Sequence, residues 1–69
     1  MSSGARRLTL YLDGMGIHRV AFSRLIDAEL ASLMSWEAGL SIPDMKTILN
    51  IEDITQGWVK AEHWLKEGK

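Results

Sequence analysis

The 69-residue sequence predicts an all-α fold, a compact domain of five short helices. Three observations predict it. Apolar residues recur at intervals of three and four in segment after segment, the period of a helix face. Gly16, Gly39, Gly57 and the single Pro43 fall between those segments and punctuate them. No segment is read as a half-buried strand, which would need a sustained period of two bounded by turn residues.

Met1–Gly4 is expected to be a flexible start, with the ordered domain following from about residue 6. In the first helix Leu8, Tyr11, Leu12 and Met15 share one face, and Gly14 and Gly16 break it. A second helix is expected from about His18, with Phe22, Leu25 and Ile26 as its apolar set. Asp27-Ala28-Glu29 is short enough only for a tight turn. A third helix is expected over about Leu30–Ala38, with Leu33 and Trp36 inward and Gly39 as its C-terminal stop. Leu40–Ile42 is an extended link, because the residue before a proline is biased away from helix. Pro43 and Asp44 then start a fourth helix over about Met45–Gln56. Pro fits a helix start, and an Asp side chain accepts from the first free amides. Ile48, Leu49 and Ile51 are expected inward, with Ile54 near the end and Gly57 as the stop. Trp58-Val59 forms a loop, and Lys60–Lys66 a last turn or two of helix carrying Trp64 and Leu65 toward the core.

Hydrophobic residues make up 46% of the chain and charged residues 25%, a globular balance rather than a disordered one. A domain this small is marginal alone, so pairing with a second copy would help it. There is no cysteine, which excludes disulfides and thiolate zinc sites and suits a reducing cytoplasm. No apolar run approaches the roughly 18 residues of a membrane span. There is no Gly-rich phosphate loop and no nucleophile paired with a base, so no catalysis, cofactor, metal or small-molecule substrate is expected. His63 beside Glu62 is expected to be solvated surface. The formal net charge of −1 argues against nucleic acid as a partner. Its distribution argues the other way: Arg6, Arg7, Arg19 and Arg24 fall in the first third of the chain, and most acids come later.

Trp36-Glu37-x-Gly39-x-x-x-Pro43-x-x-x-x-Ile48-Leu49 resembles the lambda-repressor/Cro-like helix-turn-helix family. The agreement in spacing extends from Leu8-x-x-Tyr11-Leu12-x-x-x-Gly16-Ile17 to Ile54-Thr55-x-Gly57-x-Val59-x-x-x-x-Trp64, about residues 8–65. That tail is similar to small Cro-like or YdaS-like phage and prophage regulators. The resemblance implies a helix-turn-helix at about residues 18–38, with Phe22 and Ile26 pinning its first helix and Leu33 and Trp36 its second. Glu37 would meet a basic or amide group from a neighbouring turn. It also implies a homodimer on a palindromic double-stranded DNA operator, with half-sites about 34 Å apart, repressing by occlusion of a promoter.

Carried over residue by residue, the resemblance places Arg19 and His18 at the backbone of the duplex. Leu30, Ala31, Ser32 and Ser35 fall on the face that reads base edges. Arg6 and Arg7 are candidates for a phosphate- or minor-groove-seeking arm. The chain departs from the family's pattern where reading should happen. Leu30 and Ala31 replace side chains that hydrogen-bond, and could touch only thymine methyls. Asp27 replaces the usual turn Gly, and Asp tolerates a left-handed backbone. Glu29 stands where a Ser or Thr cap is common. Trp36, Trp64 and Phe22 belong to the core, and Trp58 is either a core lid or an anchor at a dimer interface. A rival expectation follows from the apolar Leu30, Ala31 and Met34: a protein-binding module on the same scaffold, such as an anti-activator, antirepressor or antitoxin.

Overall fold

The computed structural model describes residues Ser3–Leu65. It is all-helical there, with α1 (Ser3–Met15), α2 (Arg19–Leu25), α3 (Leu30–Glu37), α4 (Met45–Ile54) and α5 (Ala61–Leu65). α1 packs on α3 and α5, α2 on α3, and α4 on α5. No described helix is long and apolar enough to cross a membrane.

One device ends four of the five helices. The chain turns through a residue of positive φ: Gly16 (69°), Asp27 (54°), Gly39 (77°) and Gln56 (55°). Each time the amide of that residue and of the next one reach back to the last turn. After α2 these are Asp27 N to Arg24 O at 3.2 Å and Ala28 N to Ser23 O at 2.8 Å. After α3 they are Gly39 N to Trp36 O at 3.1 Å and Leu40 N to Ser35 O at 3.0 Å. These are Schellman closures, which use carbonyls a helix end would otherwise leave unpaired. Asp27 therefore does what the sequence expects of it. The stop after α4 is Gln56 rather than Gly57, which follows it at φ 86°.

The helix starts are less uniform. Asp44 caps α4, its carboxylate accepting from Thr47 N at 2.9 Å, and that contact holds the carboxyl below the usual Asp range. α5 starts differently. His63 Nδ1 accepts from Lys60 N at 2.8 Å, one half of a capping box, with an imidazole in the role Glu or Gln often takes. His63 is thus half-buried and structural, not solvated surface. Buried Thr55 ties the end of α4 to the loop that leads into α5, donating to Ile51 O at 2.7 Å and accepting from Val59 N at 3.1 Å.

The core consists of Ala5, Leu8, Leu12, Phe22, Ile26, Leu33, Trp36, Ile48, Ile51, Val59 and Trp64. Four residues expected inward are exposed: Met15 (64%), Leu25 (62%), Leu49 (53%) and Leu65 (50%). Each neighbours a core residue in sequence, or lies one turn past it, and so falls about 100° off the buried stripe or beyond the packing partner. α1 also starts earlier than expected. Ser3 and Gly4 are helical rather than a flexible lead; Met1 and Ser2 lie outside the described residues, as does Lys66. Gly4 is there for space. A Cβ on it would sit 2.6 Å from Cε3 of Trp64, inside the indole's own envelope. Ser3 Oγ donates to His63 O at 3.1 Å across the same seam.

Gly4→Ala should therefore destabilise by about 2 kcal/mol through overpacking. Gly14→Ala, which meets open space, should be neutral or stabilise through helix propensity. Equal urea midpoints for the two variants would refute the packing account. The His63 cap carries a pH dependence. Burial, with Arg7 and Lys60 nearby, pushes the imidazole below its ordinary 6.5. A lowered folded-state value means stability that is full above the unfolded value and lost as pH falls through the folded one. The melting temperature should drop between about pH 7 and pH 5, and His63→Gln, which accepts without titrating, should flatten that drop.

Candidate nucleic-acid interface

The α2–turn–α3 unit is carried on a polar clasp. Arg19, the first residue of α2, is fixed from two sides. Its Nη2 donates to Glu37 Oε1 at 2.7 Å and its Nε to Glu37 Oε2 at 3.0 Å. Its Nη1 meets Asp13 Oδ1 at 2.6 Å. Glu37, the last residue of α3, also accepts from Thr9 Oγ1 of α1 at 2.9 Å. The carboxylate is 12% exposed and the guanidinium 29%, so water screens the pair only in part. The Glu37 hydrogen bond, then that of Asp13, raises the Arg19 pKa further and keeps it charged. The expected partner of Glu37 is thus found, and it is Arg19. The consequence runs against Arg19 as a phosphate contact: its Nε, Nη1 and Nη2 are each already paired with a carboxylate.

α3 presents Leu30, Ala31, Met34 and Ala38 to solvent. At 100° per residue these four fall within a band of about 100°. Ser35 lies just beyond one edge of that band and Ser32 further round toward Trp36; both are half-buried, and Ser35 Oγ shares a hydrogen bond with Ser41 Oγ at 2.9 Å. The outward face is thus rotated from the one expected. Met34, 58% exposed, is near its centre, and neither serine is. Val20 of α2 lies beside it, with His18 at the rim of the shallow groove between the two helices. His18 and Glu29 occupy the N-cap positions of α2 and α3, and neither side chain caps. Asp27 and Glu29 are exposed at the start of α3.

The two arginines expected as an arm are instead residues of α1. Arg7 is half-buried, its Nε donating to Trp58 O at 2.7 Å and its guanidinium 5.1 Å from the Trp58 ring centroid, a cation–π distance. Trp58 remains 52% exposed. Arg6 is exposed, and so is Arg24 in the last turn of α2. Sequence reasoning left Arg24 unassigned, although its spacing opposite Phe22 and Ile26 puts it on the outer face. Among the described residues no group of three His, Cys, Asp or Glu is arranged to hold a metal ion. No protein-family model, curated protein or solved structure matches the chain.

The clasp makes a quantitative claim. Arg19→Ala and Glu37→Ala should each destabilise, with a coupling of about 1–2 kcal/mol in a double-mutant cycle. Additive losses in urea denaturation would show that the contact contributes nothing beyond its two halves.

Proposed function

We propose that the chain is a small cytoplasmic transcriptional regulator of the Cro-like kind. In this reading it works as a pair of copies, α3 enters the major groove of a double-stranded DNA operator, and binding occludes a promoter. The observation that carries the reading is the α2–turn–α3 unit. A short helix is exposed along one side from Leu30 to Ala38, while its other side is fixed by Leu33, Trp36 and the Arg19–Glu37 clasp. A rigid, outward helix after a tight turn is what groove insertion requires. The resemblance in spacing over residues 8–65 supports it, and implies a phage, prophage or plasmid setting.

The contacts follow from the side chains available. Leu30, Ala31 and Met34 can touch thymine methyls but cannot hydrogen-bond a base edge, so the operator should be rich in A·T pairs at the positions under α3. Arg24, Arg6 and His18 supply the phosphate contacts. Arg19 acts behind the surface, holding α2 against α3.

A second reading is favoured by one observation. The outward face of α3 is apolar along its length and has Asp27 and Glu29 at its start, which suits a protein partner better than a polyanion. On that reading the chain is an anti-activator, antirepressor or antitoxin. Selection from a random duplex pool separates the two. The DNA reading expects an A·T-rich consensus whose binding weakens steeply with salt. Arg24→Ala should lower the salt slope by about one phosphate without changing the consensus. Failure to enrich any duplex at low salt would sink the operator reading in favour of the protein partner.

A further inference from the structure

α4 is packed on one side only. Ile48, Ile51 and Thr55 are buried, whereas Met45, Lys46, Leu49, Asn50 and Asp53 are exposed. At 100° per residue those five fall within a band of about 140° opposite the buried stripe. Met45 and Leu49, four residues apart, are 50% and 53% exposed. Leu40 and Ile42, in the link that enters α4, are exposed as well, at 81% and 52%.

The charges on this stripe are placed against their own helix. Lys46 is in the first turn, at the positive end of the α4 dipole, and Asp53 is in the last turn, at the negative end. Neither forms an ion pair among the described residues, unlike Arg19, which pairs with Asp13 and with Glu37. Lys46 and Asp53 are seven residues apart, two turns, with Leu49 and Asn50 between them.

We propose that this stripe is a two-fold interface with a second copy of the chain, α4 lying antiparallel to the α4 of its partner. An axis between Leu49 and Asn50 sets Lys46 opposite the partner's Asp53, and Asp53 opposite the partner's Lys46. One pattern thus gives two ion pairs around a centre where the two Leu49 side chains meet, the self-complementarity an isologous interface demands. A parallel pairing would set Lys46 on the partner's Lys46 and Asp53 on the partner's Asp53. The charge order therefore selects the antiparallel arrangement. The same pairing answers the dipole, since each end of α4 is then faced by the charge that suits it. This deepens the operator reading above, and rests on it for the number of copies.

The test is sedimentation equilibrium of the whole chain over a concentration series at low salt, without DNA. Lys46→Asp or Asp53→Lys should each weaken self-association about tenfold or more, because symmetry removes two pairs at once. The combined variant K46D/D53K should restore it to within about threefold. Both single changes favour the α4 dipole, so weakened association would not come from a melted helix, and circular dichroism checks this. A chain that stays monomeric at millimolar concentration, singles that associate as well as the natural chain, or a combined variant that fails to restore would each overturn the interface. A duplex titration run alongside keeps the two proposals apart. Duplex binding by independent monomers overturns the interface and leaves groove binding by α3 standing without the pairing of copies; self-association that Lys46→Asp weakens, with no duplex bound, supports the interface and ends the operator reading.

Discussion

The arrangement of α2 and α3 depends on the carboxylate of Glu37. It is mostly buried where α1, α2 and α3 meet, and a charge there is tolerable only when it is met by donors. Thr9 and Arg19 meet it, and Asp13 takes the remaining side of the guanidinium. Apolar packing of Leu33 and Phe22 would hold the helices together without fixing their rotation, because hydrophobic contact is non-directional. The forked guanidinium and the planar carboxylate supply the missing direction. The clasp joins the first residue of α2 to the last residue of α3, so it spans the whole unit. The angle at which α3 faces outward is fixed by it.

The same clasp explains what was legible in the sequence and what was not. Helix order, the stops at Gly16, Asp27 and Gly39, and the Asp44 cap all follow from local chemistry, and local chemistry is written in short spacings. The core positions Leu8, Leu12, Phe22, Ile26, Leu33, Trp36, Ile48 and Ile51 follow from periodicity. Leu49 and Leu25 did not, because a helix offers two adjacent apolar positions and only tertiary packing chooses between them. Arg19 was legible as a residue with a role and illegible as to which. An arginine at a helix start reads the same whether its partner is a phosphate or a glutamate 18 positions away. Thr9, Asp13 and the early start of α1 gave no signal of their own, since Thr9 and Gly4 are explained only by Glu37 and Trp64.

The surface of α3 carries a tension that composition alone does not show. The clasp holds the helix with this side outward. The side chains it presents are Leu30, Ala31, Met34 and Ala38, none of which can discriminate by hydrogen bonding. Discrimination by such a face rests on shape: the fit of methyls to methyls, or of an apolar ridge to a partner's groove. Both proposed readings share that physics, and they differ in what surrounds the ridge. Arg24 and Arg6 pull toward a polyanion, while Asp27 and Glu29 push away from it.

The seam where Gly4 lies under Trp64 has a consequence for how the chain reaches this structure. The Schellman stops close over five residues and can form as soon as their helices do. The contact of Ser3 with His63 closes a loop of 60 positions, and its entropy is lost in one step. α5, only five residues long, has little helical stability of its own and takes its order from its packing on α1 and α4. The last helix should therefore be the last element to dock on folding and the first to leave on thermal opening. Trp64, buried at that joint, reports when the circuit of the chain is complete.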